Sequence, residues 1–152
     1  MAEEVTLAMA GNAVRRLRRD MGQIPKDLQR RLRPAMRAGG QDLLADARRR
    51  ASWSTRIPAA MRLATSFTRR QAGVSLVVSR HRAPHARPYE GIRGNDSFRR
   101  PVFGNRERWV ETQTRPFAGP AVDLHGPRVV AAVNRVVDEA AVAAGFTRKG
   151  MS

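Results

Sequence analysis

The sequence predicts an α+β protein, an antiparallel β-sheet packed by a long N-terminal helical region and a C-terminal amphipathic helix. Apolar residues recur every three or four positions in two stretches, one ending near residue 51 and one beginning near residue 126. Between them, two runs with strand character are separated by a short polar break, the pattern of a hairpin. The 152 residues fit one domain, with a helical arm at about 12–51, a sheet and central loop at 58–118 and the last helix at about 126–145.

Residues 5–9, VTLAM, suit a short strand or the lead-in to a helix. Asn12 to Met21 has a helical pattern that Gly22 interrupts. Pro25 suits the first turn of a second helix, because its missing N–H would be unpaired there anyway. Run to about Ala51, that helix gathers Leu28, Leu32, Ala35, Gly39, Leu43 and Ala47 into one stripe. Pro34 and the pair Gly39-Gly40 predict a kink or a break in it. Opposite the stripe lie Arg30, Arg33, Arg37 and Arg48, which read either as a basic face toward DNA or a partner, or as a solvated outer face.

After Pro58, LATSFT alternates as a strand does, and VSLVVS (Val74 to Ser79) is a β-branched run; together they predict an antiparallel hairpin. Residues 81–105 are rich in proline and glycine and predict a long loop that orders fully on assembly. Residues 107–115, ERWVETQTR, predict a third strand carrying Trp109, with a turn at Pro116 to Pro120. In the last helix Val129, Val130, Val133, Val136, Val137, Ala140, Ala141 and Ala144 follow helical spacing, and Gly145 supplies the stop. The tail, FTRKGMS, reads as frayed.

Charge dominates the composition: 29 basic residues against 13 acidic give a net +16. Such a balance favours acidic partners, nucleic acid first among them. All but two of the basic residues are arginine, and alanine is abundant, so codon bias from a GC-rich genome explains part of the excess. There is no cysteine, which excludes disulfides and thiolate metal sites. The N-terminal residues carry acids where a signal peptide has bases, and their apolar stretch is too short to span a bilayer, so a soluble cytoplasmic product is expected.

A search for catalytic patterns finds little. His81 and His85 are four apart, but Pro84 lies between them in a loop-like stretch, which reads as polar loop histidines rather than a metal pair. His125 stands beside the expected helix start, where capping is the simplest role. No Gly-x-Ser-x-Gly, no phosphate-cradling loop and no suitably spaced carboxylate pair is present, so no enzyme, metal or cofactor is expected. Aromatic residues are 5% of the chain and are not interleaved with arginines, as base-stacking platforms require.

The order of a helical region, ASWSTRIPAAMRLATSF, VSLVVS, HARPYEGIRG, FRRPVFGNRERWVETQTRPFAGPAV and a final amphipathic helix resembles the neck or tail-completion family of long-tailed bacteriophages. This is the gene-product-ten-like group related to minor tail protein Z of phage lambda. The likeness covers most of residues 25–145 and is most specific from Phe98 to Val122. There Arg100-Pro101-Val102-Phe103-Gly104 resembles the family's His/Arg-Pro-Val-aromatic-Gly phrase, and Trp109, Pro116-Phe117 and Pro120-Ala121 also match. Tyr89-Glu90-Gly91 retains the aromatic, acid and glycine of the central loop, while Ile92 departs from the family's threonine and the alanine is missing.

The resemblance implies a structural virion protein made in the host cytoplasm and placed in the neck or upper tail. It would form a homo-oligomeric ring, with six copies expected, between connector and tail-tube proteins, with genomic DNA passing through the channel and no membrane involved. The alternative is a nonspecific basic DNA-binding protein. A channel that passes DNA should not grip phosphates hard, so weak binding to random duplex is expected. No catalytic residue comes with the family. The candidate subunit or partner contacts are Tyr89, Phe98, Arg100 and Phe103, whereas Trp109 and Phe117 are assigned to the core. Burial of each such aromatic is worth roughly 1.5–3 kcal/mol.

Overall fold

The computed structural model describes residues 5–9, 25–67, 72–91, 95–143 and 145. The expected helix at 12–21 and the tail after Gly145 lie outside them. The chain order is β1 (Val5–Met9), α1 (Lys26–Arg50), α2 (Arg56–Ala60), β2 (Met61–Phe67), β3 (Ala72–Val78), α3 (Ala86–Glu90), β4 (Ser97–Val102), β5 (Asn105–Gln113) and α4 (Ala118–Ala143). The fold is α+β, as expected.

Helix α1 is the hub. Pro25 enters it in extended conformation, and its carbonyl accepts the Gln29 N–H at 3.0 Å. Asp27 in the first turn and Arg48, Arg49 and Arg50 in the last complement the helix dipole. The expected break is absent: the helix is continuous through Pro34 and both glycines. Pro34 and Arg30 are exposed, so the Arg30 carbonyl that the proline leaves unpaired can meet water. Gly40 serves close approach instead, while Gly39 has room for a methyl group. A Cβ on Gly39 would sit 3.4 Å from the Val129 Cα of α4, and one on Gly40 would sit 2.8 Å from Leu63 Cδ1 of β2. Burial accordingly extends beyond a single stripe, to Leu32, Met36, Gly40, Leu43, Leu44, Asp46 and Ala47.

The expected hairpin is present. Strands β2 and β3 pair antiparallel from Met61↔Val78 to Phe67↔Ala72, and β1 pairs with the other edge of β3 to give the order β1-β3-β2. Val74, Leu76 and Val78 of β3, with Met61, close the core against Leu43, Ala47 and Ile57 of the helices. Phe117 is fully buried, as assigned from the sequence.

Two expectations about the second half need correction. The stretch 81–105 is not one structureless loop, since it contains α3 and the whole of β4. Strand β4 pairs with β5 in a separate two-stranded ribbon, so residues 107–115 do not extend the β2–β3 sheet. Arginines and Pro101 on an exposed ribbon have the composition of a loop, which hid the strand. Helix α4 also begins eight residues earlier than expected, at Ala118, and Pro120, Gly126 and Pro127 lie within it. The sequence predicts that its valine stripe packs on a sheet built from residues 61–79 and 107–115; instead the helix packs chiefly on α1, and on the sheet mainly through β1. Val129 and Val133 are buried there, and the helix stops before Gly145, whose φ is 86°. Among the described residues no helix is long and apolar enough to cross a membrane.

Candidate functional site

The β4–β5 ribbon and its anchor hold most of the residues singled out from the sequence. The anchor begins at Glu90. Its carboxylate accepts the N–H groups of Phe117 and Ala118 at 2.9 Å and of Gly119 at 2.7 Å, capping α4 from 27 to 29 residues away. These are three of the donors that a helix N-terminus leaves unpaired, and the negative charge suits the dipole. The Arg115 N–H donates to the Tyr89 carbonyl at 2.8 Å, and Gly91 turns the chain at φ 93°. Thr114 closes the ribbon's base by donating both its N–H and its hydroxyl to the Asp96 carbonyl, at 2.8 and 3.0 Å.

An aromatic stack supports this base from within the chain. Trp53 and Tyr89 lie 4.6 Å apart between ring centroids, and Phe98 meets Tyr89 edge-on at 4.9 Å. The Arg115 guanidinium covers the other ring of the series, 5.5 Å from the Trp53 centroid. Tyr89 and Phe98 are therefore half-buried in their own molecule, where they hold the ribbon's root.

The far half of the ribbon is open. Phe103 and Gly104 form its tip, Gly104 at φ 80°, and the Phe103 side chain is fully exposed. The register shifts after Pro101, where Asn105 Oδ1 accepts the N–H groups of Glu107 and Arg108 at 3.0 and 3.2 Å and so supports the bulge. Trp109, assigned to the core from the sequence, is instead 51% exposed. It pairs with Pro101 on the two-stranded ribbon. Arg100 is exposed and lies along the ribbon, its Nε donating to Thr112 Oγ1 at 2.9 Å.

The four arginines expected to form a basic face are all exposed, but three interact within the chain. Arg30 meets Asp27 at 3.6 Å, Arg33 covers the Phe67 ring at 5.3 Å, and Arg48 donates to the Met61 carbonyl at 3.0 Å. Arg37 lies between them on the same exposed side of α1.

The histidines occupy three different settings. His81 is exposed in a turn, and the described residues contain no group of three or more candidate metal ligands. His85 is half-buried with Nε2 3.3 Å from Ser54 Oγ; burial first, and the nearby Arg56 charge second, lower its pKa below the usual 6.5. The Ser54 hydroxyl also accepts the Ile57 N–H at 3.3 Å, so this pair braces α2. The cationic neighbour disfavours the imidazolium that a nucleophile-activating histidine must form. His125 is not a cap. It sits inside α4, its Nε2 3.3 Å from Asp46 Oδ2, and Asp46 is buried with Arg49 and Arg50 as partners. Burial alone would raise the Asp46 pKa, but the hydrogen bonds and charges of the two arginines outweigh it and hold it below 3.8.

Sequence reasoning missed Glu90 as a cap, Asp46 as a buried ionic centre and Trp53 as part of the stack. Only Asp46 had a local indication, with arginines three and four residues later. Comparisons with protein-family models, curated proteins and solved structures give no match to this chain.

Proposed function

We propose that this protein is a structural component of the head–tail junction of a long-tailed phage, a neck or tail-completion protein that assembles as a ring of six. The reading rests on the likeness of residues 25–145 to that family. The observation that carries it further is the ribbon: Phe103 fully exposed at the tip and Trp109 half exposed beside it, on a rigidly anchored base. An isolated two-stranded ribbon is at best marginal in water, and a third strand or a packed layer is what makes one stable. A neighbouring copy or a connector protein would supply that layer, and burial of Phe103 alone would contribute about 1.5–3 kcal/mol. The phrases that carry the resemblance fall on this same unit: Tyr89-Glu90-Gly91 forms the anchor, Arg100 to Gly104 the tip, and Pro116-Phe117 the entry to the capped helix.

Sedimentation velocity across a concentration series, with negative-stain imaging, tests the proposal. The wild-type protein should form six-membered annular particles, alone or with its neck partners, and the double variant Phe103→Ser/Trp109→Ser should remain folded but monomeric. Rings that survive loss of both side chains, or a wild-type protein that stays monomeric in both settings, would refute it.

A further inference from the structure

We infer that the end of the molecule built from the C-terminus of α1, α2 and the turn after β3 is a phosphate-backbone site for duplex DNA. This surface is distinct from the ribbon tip and does not require the ring reading to be correct. From Ala47 to Tyr89 the chain contains ten arginines and no acidic residue. Arg69 and Arg70 lie outside the described residues; the other eight flank or belong to the elements of this end.

Four hydrogen bonds hold those elements together. Arg48 donates to the Met61 carbonyl at 3.0 Å, Ser79 N–H to the Ala60 carbonyl at 3.1 Å, and Ala83 N–H to the Ser79 carbonyl at 2.9 Å. Ser54 Oγ and His85 Nε2 meet at 3.3 Å. The result brings Arg48, Arg49 and Arg50 to the same end as Arg56 and Arg82, all of them exposed.

Arginines in the last turn of a helix have an ordinary explanation, since they complement its dipole. The magnitudes show that this is insufficient here. The helix end carries roughly half a negative charge, and Asp46, buried beneath, carries one. Three guanidinium groups stand against them, and Arg56 and Arg82 add two more. The surplus is positive and faces water, with the Arg49 side chain 74% exposed.

The chemistry of the surface favours nucleic acid over a protein partner. Protein interfaces have an apolar, aromatic-rich core, whereas protein–DNA interfaces are polar and strongly positive. The exposed large apolar residues of the described chain are Phe103, Trp109, Leu124 and Val142, and none lies in the last turn of α1, in α2 or in the turn after β3. Trp53, its one large aromatic, is already engaged by Tyr89 and Arg115, so it offers no open face for stacking on unpaired bases. What is left is a set of guanidinium forks, which fit phosphate oxygens in pairs. The site therefore calls for duplex binding that is tight at low salt, in place of the weak binding expected from the sequence.

Fluorescence anisotropy with a short random-sequence duplex provides the test. If about five phosphates are neutralised, affinity should fall by about 500-fold between about 50 and 200 mM salt. Arg56→Glu/Arg82→Glu should lower affinity by at least about 100-fold at low salt and flatten the salt slope. Arg106→Glu/Arg108→Glu on the ribbon changes net charge equally and should act within about threefold. Equal losses in the two variants would mean that only overall charge matters and would overturn the proposal. Salt-insensitive binding, a preference for single strands, or stronger binding to polyglutamate than to duplex would overturn it as well. Melting curves of both variants must match wild type for the comparison to count, and surface arginines without a buried contact meet that condition.

Discussion

Replacing Glu90 by alanine tests the anchor on which the ribbon and α4 both depend. The substitution removes the acceptor of three backbone N–H groups at once. Phe117 and Ala118 are buried, so water cannot replace the carboxylate at two of the three, while Gly119 is partly accessible. An unpaired buried donor costs about 1–3 kcal/mol, and loss of an ordinary N-cap about 0.5–2 kcal/mol. With some local relaxation, a net loss of about 2–4 kcal/mol follows from these ranges. For a chain of this length each kcal/mol moves the melting temperature by about 2–4 °C, giving a drop of about 5–15 °C. Glu90→Gln keeps an oxygen acceptor but not the charge and should lose about half as much. Urea unfolding followed by tryptophan fluorescence, together with thermal melts by circular dichroism, measures both variants. A Glu90→Ala protein that melts within about 1 °C of wild type would show that the cap contributes nothing and that the ribbon's base is held some other way.

Val133→Asp places an unpaired charge on the buried face of α4, a loss of about 3–5 kcal/mol that should give insoluble protein and, in a phage, filled heads that fail to join tails. Arg128→Ala and Arg135→Ala on the exposed side should stay within about 0.5 kcal/mol of wild type by urea titration. Gly39→Ala should be neutral or stabilising by up to about 1 kcal/mol, because its methyl makes ordinary contacts with Val129 and Ala132. Gly40→Ala pushes into Leu63 and should be the less stable of the two by thermal melting; the reverse order would contradict the packing described. His85 has a folded pKa below its unfolded value of about 6.5, so the unfolded state binds more protons as pH drops through that value and stability falls with it. His85→Gln should flatten the stability profile between about pH 7 and 5, measured by urea midpoints.

The parts of the fold that were legible are those whose cause is local. Leu32, Leu43 and Ala47 announce the buried side of α1, the alternation around Leu63 and the β-branched run around Leu76 announce the hairpin, and Gly145 marks the end of α4. The parts that were not legible depend on residues far apart in the chain. The start of α4 is set by a carboxylate that arrives from Glu90, so Pro116 to Pro120 read as a turn. Strand β4 exists because Phe98 leans on Tyr89 and Asn105 supports a bulge, neither of which shows as periodicity. Pro34 and Gly39-Gly40 misled in the opposite sense. They look like breakers because isolated helices are weakened by them, yet α1 runs through all three, and Gly40 admits Leu63 of β2 to close packing. Of the candidate contacts, Phe103 and Arg100 lie on the open ribbon, whereas Tyr89 and Phe98 support its root.

The two proposed surfaces constrain one another through charge. Each copy carries a net +16, and at about 0.1 M salt the screening length of about 10 Å is comparable to the separation of groups across a subunit contact. Copies brought together by apolar ribbon tips therefore repel unless counter-charge is supplied. Salt supplies it without discrimination, whereas a duplex supplies it only where guanidinium groups face phosphates. Ring formation by the isolated protein should accordingly strengthen as salt rises, while duplex binding weakens over the same range. The opposite dependences separate the two surfaces in one titration. Phe103→Ser/Trp109→Ser should abolish the first trend and leave the second, and Arg56→Glu/Arg82→Glu should flatten the second and, by lowering the repulsion, move ring formation to lower salt.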